Sequence, residues 1–95
     1  MRFAFLIMGD GLDSASDRAS IHQGMCSIIG VRDLEDACAS ARKLLDEGIG
    51  CIEVCGAFGP EGARKVAEAT ERKIPVGYIT HLPEQEGLHR AVFGS

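Results

Sequence analysis

Reactive residue types cluster in two short stretches of this chain. Residues 49–62 read IGCIEVCGAFGPEG and carry Glu53, Cys55 and a glycine-rich turn, Gly56-Ala57-Phe58-Gly59, ahead of Pro60 and Glu61. Residues 80–84 read THLPE and carry Thr80 and His81. A thiol beside an imidazolium or a helix N-terminus gives up its proton readily and becomes a nucleophile. Histidine titrates near neutral pH and suits general-base work. Cys55, His81 and Glu53 are therefore the candidate catalytic residues. Glycines let backbone N–H groups approach an anion closely, so Gly56, Ala57, Phe58 and Gly59, with Thr80, are candidate ligand contacts. Asp10, in the sequence Met8-Gly9-Asp10-Gly11, joins them as a group able to orient His81 or to contact a ligand.

Each has a plainer reading. Cysteines at strand ends are commonly packed and inert. Glu53 can form a structural ion pair or sit partly exposed, and an unpaired buried carboxylate would be costly. The spacing G-x-x-G-x-x-G is neither the dinucleotide-binding fingerprint nor a P-loop, and Glu61 would repel an anion set directly against it. A Thr-His pair ahead of a helix can serve only as a cap. His22, His81 and His89 are scattered, without metal-ligand spacing, so no metal and no cofactor are expected.

The elements that would position these groups follow from periodicity. Arg2 to Met8 (RFAFLIM) is a continuous apolar run ended by Gly9-Asp10-Gly11, which predicts a central strand. Ile49 to Cys55 predicts a second strand, apolar on both sides except at Glu53, as in a parallel sheet covered on both faces. Ile74 to Thr80 predicts a third, with Pro75 near its start. Between Arg18 and Val31 two readings stand. One is a hairpin turning at Gln23-Gly24; the other is a single strand from Cys26, reached by a long loop. The length of this segment would let Arg18 and His22 approach a site; the plainer reading of His22 is a solvated turn residue.

Asp33 opens the clearest helix, with Leu34, Ala37, Cys38, Ala41, Leu44 and Leu45 in one stripe and Gly48 as its stop. A second helix starts at Pro60, where a missing N–H costs nothing, with Ala63, Val66 and Ala67 inward. A third starts near Pro83, with Leu88, Ala91 and Val92 as its inner face and Phe93 available to dock on a neighbour. Strands alternating with helices predict an α/β fold with a mainly parallel sheet of four or five strands, flavodoxin-like or Rossmann-like. A ferredoxin-like α+β arrangement is the alternative. Ligands of open α/β sheets bind beyond the carboxyl ends of the strands. Asp10, Cys55 and His81 all fall at such ends.

The 95 residues form one domain, residues 1–95, with a modest core. The chain has no Trp, one Tyr and four Phe, so burial relies on small aliphatic residues, and self-association is expected to complete it. A net charge of −4 without a basic run excludes nucleic acid as a partner. No apolar run approaches membrane length and no signal peptide precedes the first strand, so a cytosolic location is expected. The four cysteines, Cys26, Cys38, Cys51 and Cys55, form no C-x-x-C pair and are expected to be reduced.

The segments FAFLIMGD, IIGVRDLEDAC, CIEVCGAFGPEGA and VGYITHLPEQ together resemble a family of short microbial proteins known only as a domain of unknown function. The resemblance spans nearly the whole chain and implies a stand-alone domain with no assigned activity. Three functions remain open: a domain binding a small anionic metabolite beside residues 56–62, a small Cys/His isomerase, lyase or hydrolase completed by a second subunit, and a purely structural oligomerisation module.

Overall fold

The computed structural model describes residues 1–94. Five strands form one sheet: β1 (Phe3–Met8), β2 (Arg18–Ile21), β3 (Cys26–Val31), β4 (Cys51–Val54) and β5 (Val76–Tyr78). The helices are α1 (Leu34–Asp46), α2 (Gly59–Ala69) and α3 (Glu86–Phe93). Strand order is β2-β3-β1-β4-β5. β1 runs parallel to both β3 and β4, β4 parallel to β5, and only the edge strand β2 is antiparallel. The α/β expectation holds, and the parallel pairings rule out the ferredoxin-like alternative. With β2 set aside, the parallel strands follow the flavodoxin-like order. The hairpin reading of residues 18–31 is the one realised. His22, Gln23 and Gly24 all take positive φ in its turn, at the end of the sheet opposite the carboxyl tips of β1 and β4, so His22 is remote from any strand-end site.

Crossover handedness places the helices. The steps β3–α1–β4 and β4–α2–β5 move the same way across the sheet, and right-handed crossovers moving the same way lie on the same face. Accordingly α1 and α2 pack together on one side. There Ala37, Ala41, Leu44, Ala63 and Val66 bury against Ala4, Leu6, Ile29, Val31, Ile52 and Val54. Each fully buried aliphatic side chain contributes roughly 1.5–3 kcal/mol. Alanines along α1 let its backbone come close to the sheet.

The return step from β1 to β3 moves the other way, so a helix there would cover the opposite face. The chain uses a loop and β2 instead. Leu12 and Asp17 of that loop cover one corner, packing over Gly30, where an added Cβ would lie 3.2 Å from Leu12 Cδ1. The rest of that face, from Phe3 and Phe5 to Cys26, Ile28, Cys51 and Glu53, carries no helix; Ile28 is 47% exposed. Two expectations need correction here. The sheet is covered on one face only, and Leu88, Ala91 and Val92 of α3 are not an inner face, since Leu88 and Val92 are 66% and 75% exposed. Amphipathicity shows that a helix has an apolar side, not what that side meets.

The start of α1 is anchored twice. Asp33 caps it by accepting from the Asp36 amide at 2.8 Å. Asp36 in turn accepts from the Arg32 amide at 3.0 Å and from Ser14 Oγ at 2.9 Å, tying the long loop to the helix. The Arg32 N–H bond, helped by Ser14 and the Arg32 charge against a smaller desolvation penalty, lowers the Asp36 pKa below its ordinary 3.8. A carboxyl lowered in the folded state stabilises it above the ordinary value, and that contribution is lost as pH falls through the lowered one. Replacing Asp33 with Ala should cost about 1 kcal/mol in urea unfolding near neutral pH. Asp36→Asn should be less stable near pH 7 and should flatten the acid limb of stability below pH 3.8; an unchanged acid limb would refute this role.

Candidate functional site

The parallel order reverses between β3 and β1 on one side and β4 and β5 on the other, so the tips of β1 and β4 flank the switch point where open α/β sheets form a crevice. A pocket of about 730 Å³ opens there, within the usual range for small-molecule sites. Met8 and Cys55 come from the tips of β1 and β4. Gly56, Ala57, Gly59 and Pro60 come from the turn that follows β4, and Tyr78, Ile79, Thr80 and His81 from the end of β5. His89 and Phe93 of α3 close the remaining side. A second cleft, of about 150 Å³ between Ser14, Arg18 and α1, is polar and far smaller.

The turn after β4 is built for close approach. Cys55 N–H donates to the Leu6 carbonyl at 3.0 Å, and Gly56–Phe58 wind one 3-10 turn closed by Phe58 N–H to the Cys55 carbonyl at 3.1 Å. Gly59 then takes φ 62 and ψ −178, a conformation open essentially to glycine alone, and α2 begins. The amides of Gly56 and Ala57 find no acceptor among the described residues, as expected for the leading N–H groups of a helical turn. Phe58, an expected ligand contact, is instead 6% exposed and packed in the core. Gly62 makes room for it, since a Cβ there would sit 3.0 Å from Phe58 Cβ. A bulky aromatic between glycines holds the turn down while its neighbours face the pocket.

On the other wall His81 and His89 stack with ring centroids 4.0 Å apart, and His89 leans on Phe93 at 4.7 Å. His81 Nε2 meets Glu86 Oε1 at 2.5 Å, and Glu86 Oε2 accepts from Arg90 at 2.8 Å. The His81 contact, with help from Arg90 and the nearby His89, lowers the Glu86 pKa below its ordinary 4.5 despite slight desolvation. This chain of side chains is what fastens α3 beside the strand tips.

The structure thus brings Cys55, Gly56, Ala57, Gly59, Thr80 and His81 to one pocket. It does not bring Asp10 or Glu53 there. Asp10 is exposed in the turn after β1. Glu53 points to the helix-free face, its carboxylate over Gly77, where a Cβ would approach Oε2 to 2.6 Å, with Cys51 Sγ 4.0 Å from Oε1. Cys55 Sγ accepts from the Met8 amide at 3.4 Å. Burial, and for Cys51 the charge of Glu53, pushes the Cys38 and Cys51 thiols up. All four cysteines are free, and among the described residues no three His, Cys, Asp or Glu side chains gather as a metal site would require. His89 has no site role in the sequence reading and Phe93 only that of docking on a neighbour, whereas both line this pocket; their i, i+4 spacing is the available signal.

Fold and site together define a small α/β domain with a mostly apolar strand-end pocket at a topological switch point. The chain belongs to a family of unknown function (DUF6506), whose pattern it matches over residues 1–94. No match was found among curated proteins or solved structures. No helix is long and apolar enough to cross a membrane among the described residues.

Because Glu86 is lowered by its partners, its contact with His81 is complete above pH 4.5 and fails as pH falls through the lowered value. The ring-current shifts of Phe93 in NMR should therefore collapse as the pH is taken well below 4.5, and Glu86→Gln should weaken them at neutral pH. Shifts that persist in both cases would mean that α3 is held by other contacts.

Proposed function

We propose that this protein binds a small anion with an apolar or aromatic body in the pocket between the tips of β1, β4 and β5 and α3. The observation that carries this reading is the division of the pocket wall. The free amides of Gly56 and Ala57 mark a place for negative charge, reinforced by the N-terminus of α2. Met8, Ile79 and Phe93 mark a place for hydrocarbon, and the stacked His81–His89 pair offers a face for a planar group. Glu61 does not oppose the anion, because its carboxylate pairs with Arg64 at 2.8 Å and is not part of the pocket wall.

A ligand that binds only the folded chain raises its melting temperature, by about 2.7 kcal/mol of stability at a hundredfold excess over Kd. Phenyl phosphate and benzoate should raise Tm more than inorganic phosphate, and benzyl alcohol should do little. Phe93→Ala alters an exposed side chain, so it should leave the resting Tm unchanged and shrink the phenyl phosphate shift. Gly56→Ala fits sterically, with the nearest atom, the Ile79 carbonyl, at 3.4 Å, and should shrink it too. An absence of any shift across the panel would rule the reading out.

The presence of Cys55, His81 and His89 around one pocket favours a second reading, a thiol enzyme. It requires Cys55 to react with iodoacetamide ahead of Cys38 and Cys51, whose thiols are raised, with a rate that falls in His81→Ala. Should Cys55 react no faster than those two, nucleophilic catalysis is excluded and simple binding stands.

A further inference from the structure

Two apolar surfaces of this chain have no partner among the described residues, and they complement each other. The first is the helix-free face of the sheet. Pairing registers put Phe3, Phe5 and Ile7, Cys26 and Ile28, Cys51 and Glu53 on that side, with Ile21 at its edge. Glu53 is the only ionisable carboxylate or base among them, so the face suits neither a strongly charged protein nor a nucleic acid. The second surface is the outward side of α3. His89 and Phe93 turn toward the pocket, while Leu88, Ala91 and Val92, on the adjoining side of the helix, touch nothing that buries them: Leu88 is 66% exposed and Val92 75%. The main contacts of α3 are with the turn that precedes it, and the molecule is drawn out to 39 × 27 × 26 Å.

We propose that a second copy of this chain covers the open sheet face, each copy laying the outward side of its α3 against the sheet of the other about a two-fold axis. Three observations favour this occupant. A parallel sheet is ordinarily covered on both faces, and α3 is the one helix not already committed to the core, so chain and vacancy match one to one. The extent is that of a small interface: strands of 6, 4, 6, 4 and 3 residues at ~4.8 Å spacing and ~3.3 Å rise give a face of roughly 360 Å². With the side of the eight-residue α3, roughly 12 by 10 Å, the projected area is on the order of 500 Å², at the small end of what each partner buries in a specific complex. Finally, an apolar patch of that size invites aggregation whenever it is bare, so its cover must be present in proportion to the chain itself, which another copy always is. The arrangement leaves His89 and Phe93 on their own pocket, so it goes beyond the binding reading and does not depend on it.

Sedimentation equilibrium of the full chain should give the mass of two copies. Ile28→Arg on the sheet and Leu88→Asp on α3 should each return it to one copy with its circular dichroism intact, since both side chains are exposed in the single chain. A wild-type chain that sediments as one copy, with α3 folded back on its own sheet, would overturn the proposal. So would a dimer that survives both substitutions. Maleimide labelling of wild-type Cys26, which lies on the open face, gives a readout free of any folding defect. Its rate should fall with rising protein concentration while that of Cys38, on α1, stays constant; equal behaviour of the two thiols would also overturn it.

Discussion

The handedness of two crossovers decides the layout of this molecule. Because β3–α1–β4 and β4–α2–β5 step the same way across the sheet, a right-handed connection can put both helices on one face only. That constraint creates the core between α1, α2 and the residues Leu6, Ile29, Ile52 and Val54. The same constraint leaves the other face to whatever joins β1 to β3, and a loop with a four-residue edge strand is too slight to cover it. The reversal of strand order between β1 and β4 then opens the crevice at their tips. Core, bare face and pocket are three results of one topological choice.

The pocket is stiff on one side and lightly held on the other. Cys55, the 3-10 turn and the start of α2 hang from a strand flanked by β1 and β5, with Phe58 driven into the core as a peg. Opposite them, α3 has no buried residue and is fastened mainly through His81, Glu86, His89 and Arg90. Segments with few buried contacts open at low free-energy cost. A ligand would thus meet a fixed wall of amides and a movable wall of aromatic rings.

Much of this was legible beforehand because the local signals agreed with the packing. The stripe of α1 and its Asp33 cap specify one helix face and one start, and both hold in the structure. The apolar runs around Phe3–Met8 and Cys51–Val54 specify strands, and both form, buried on the side that faces α1 and α2. Other features were out of reach for physical reasons. Whether residues 18–31 fold as a hairpin depends on three successive left-handed residues, two of them not glycine, which no propensity favours. Phe58 sits in a glycine-rich turn that reads as a ligand loop, yet its size sends it into the core. Glu53 looked like a site residue because alternation alone does not say which face of a strand is covered.

The pairing of β1 has a consequence for biosynthesis. Its two neighbours are both distant in sequence, Phe3 lying beside Cys26 on one side and beside Cys51 on the other. The most apolar ribbon of the chain is therefore translated before either flank exists. At ~5–20 residues per second, synthesis of the segment up to β4 occupies roughly 2–10 s. During that interval Phe3, Phe5, Leu6 and Ile7 have no sheet to join, and non-local pairing of this kind is slow even afterwards. The nascent chain is thus a natural client for ribosome-associated holdases, and its yield on overexpression should depend on them more than the small size of the domain suggests.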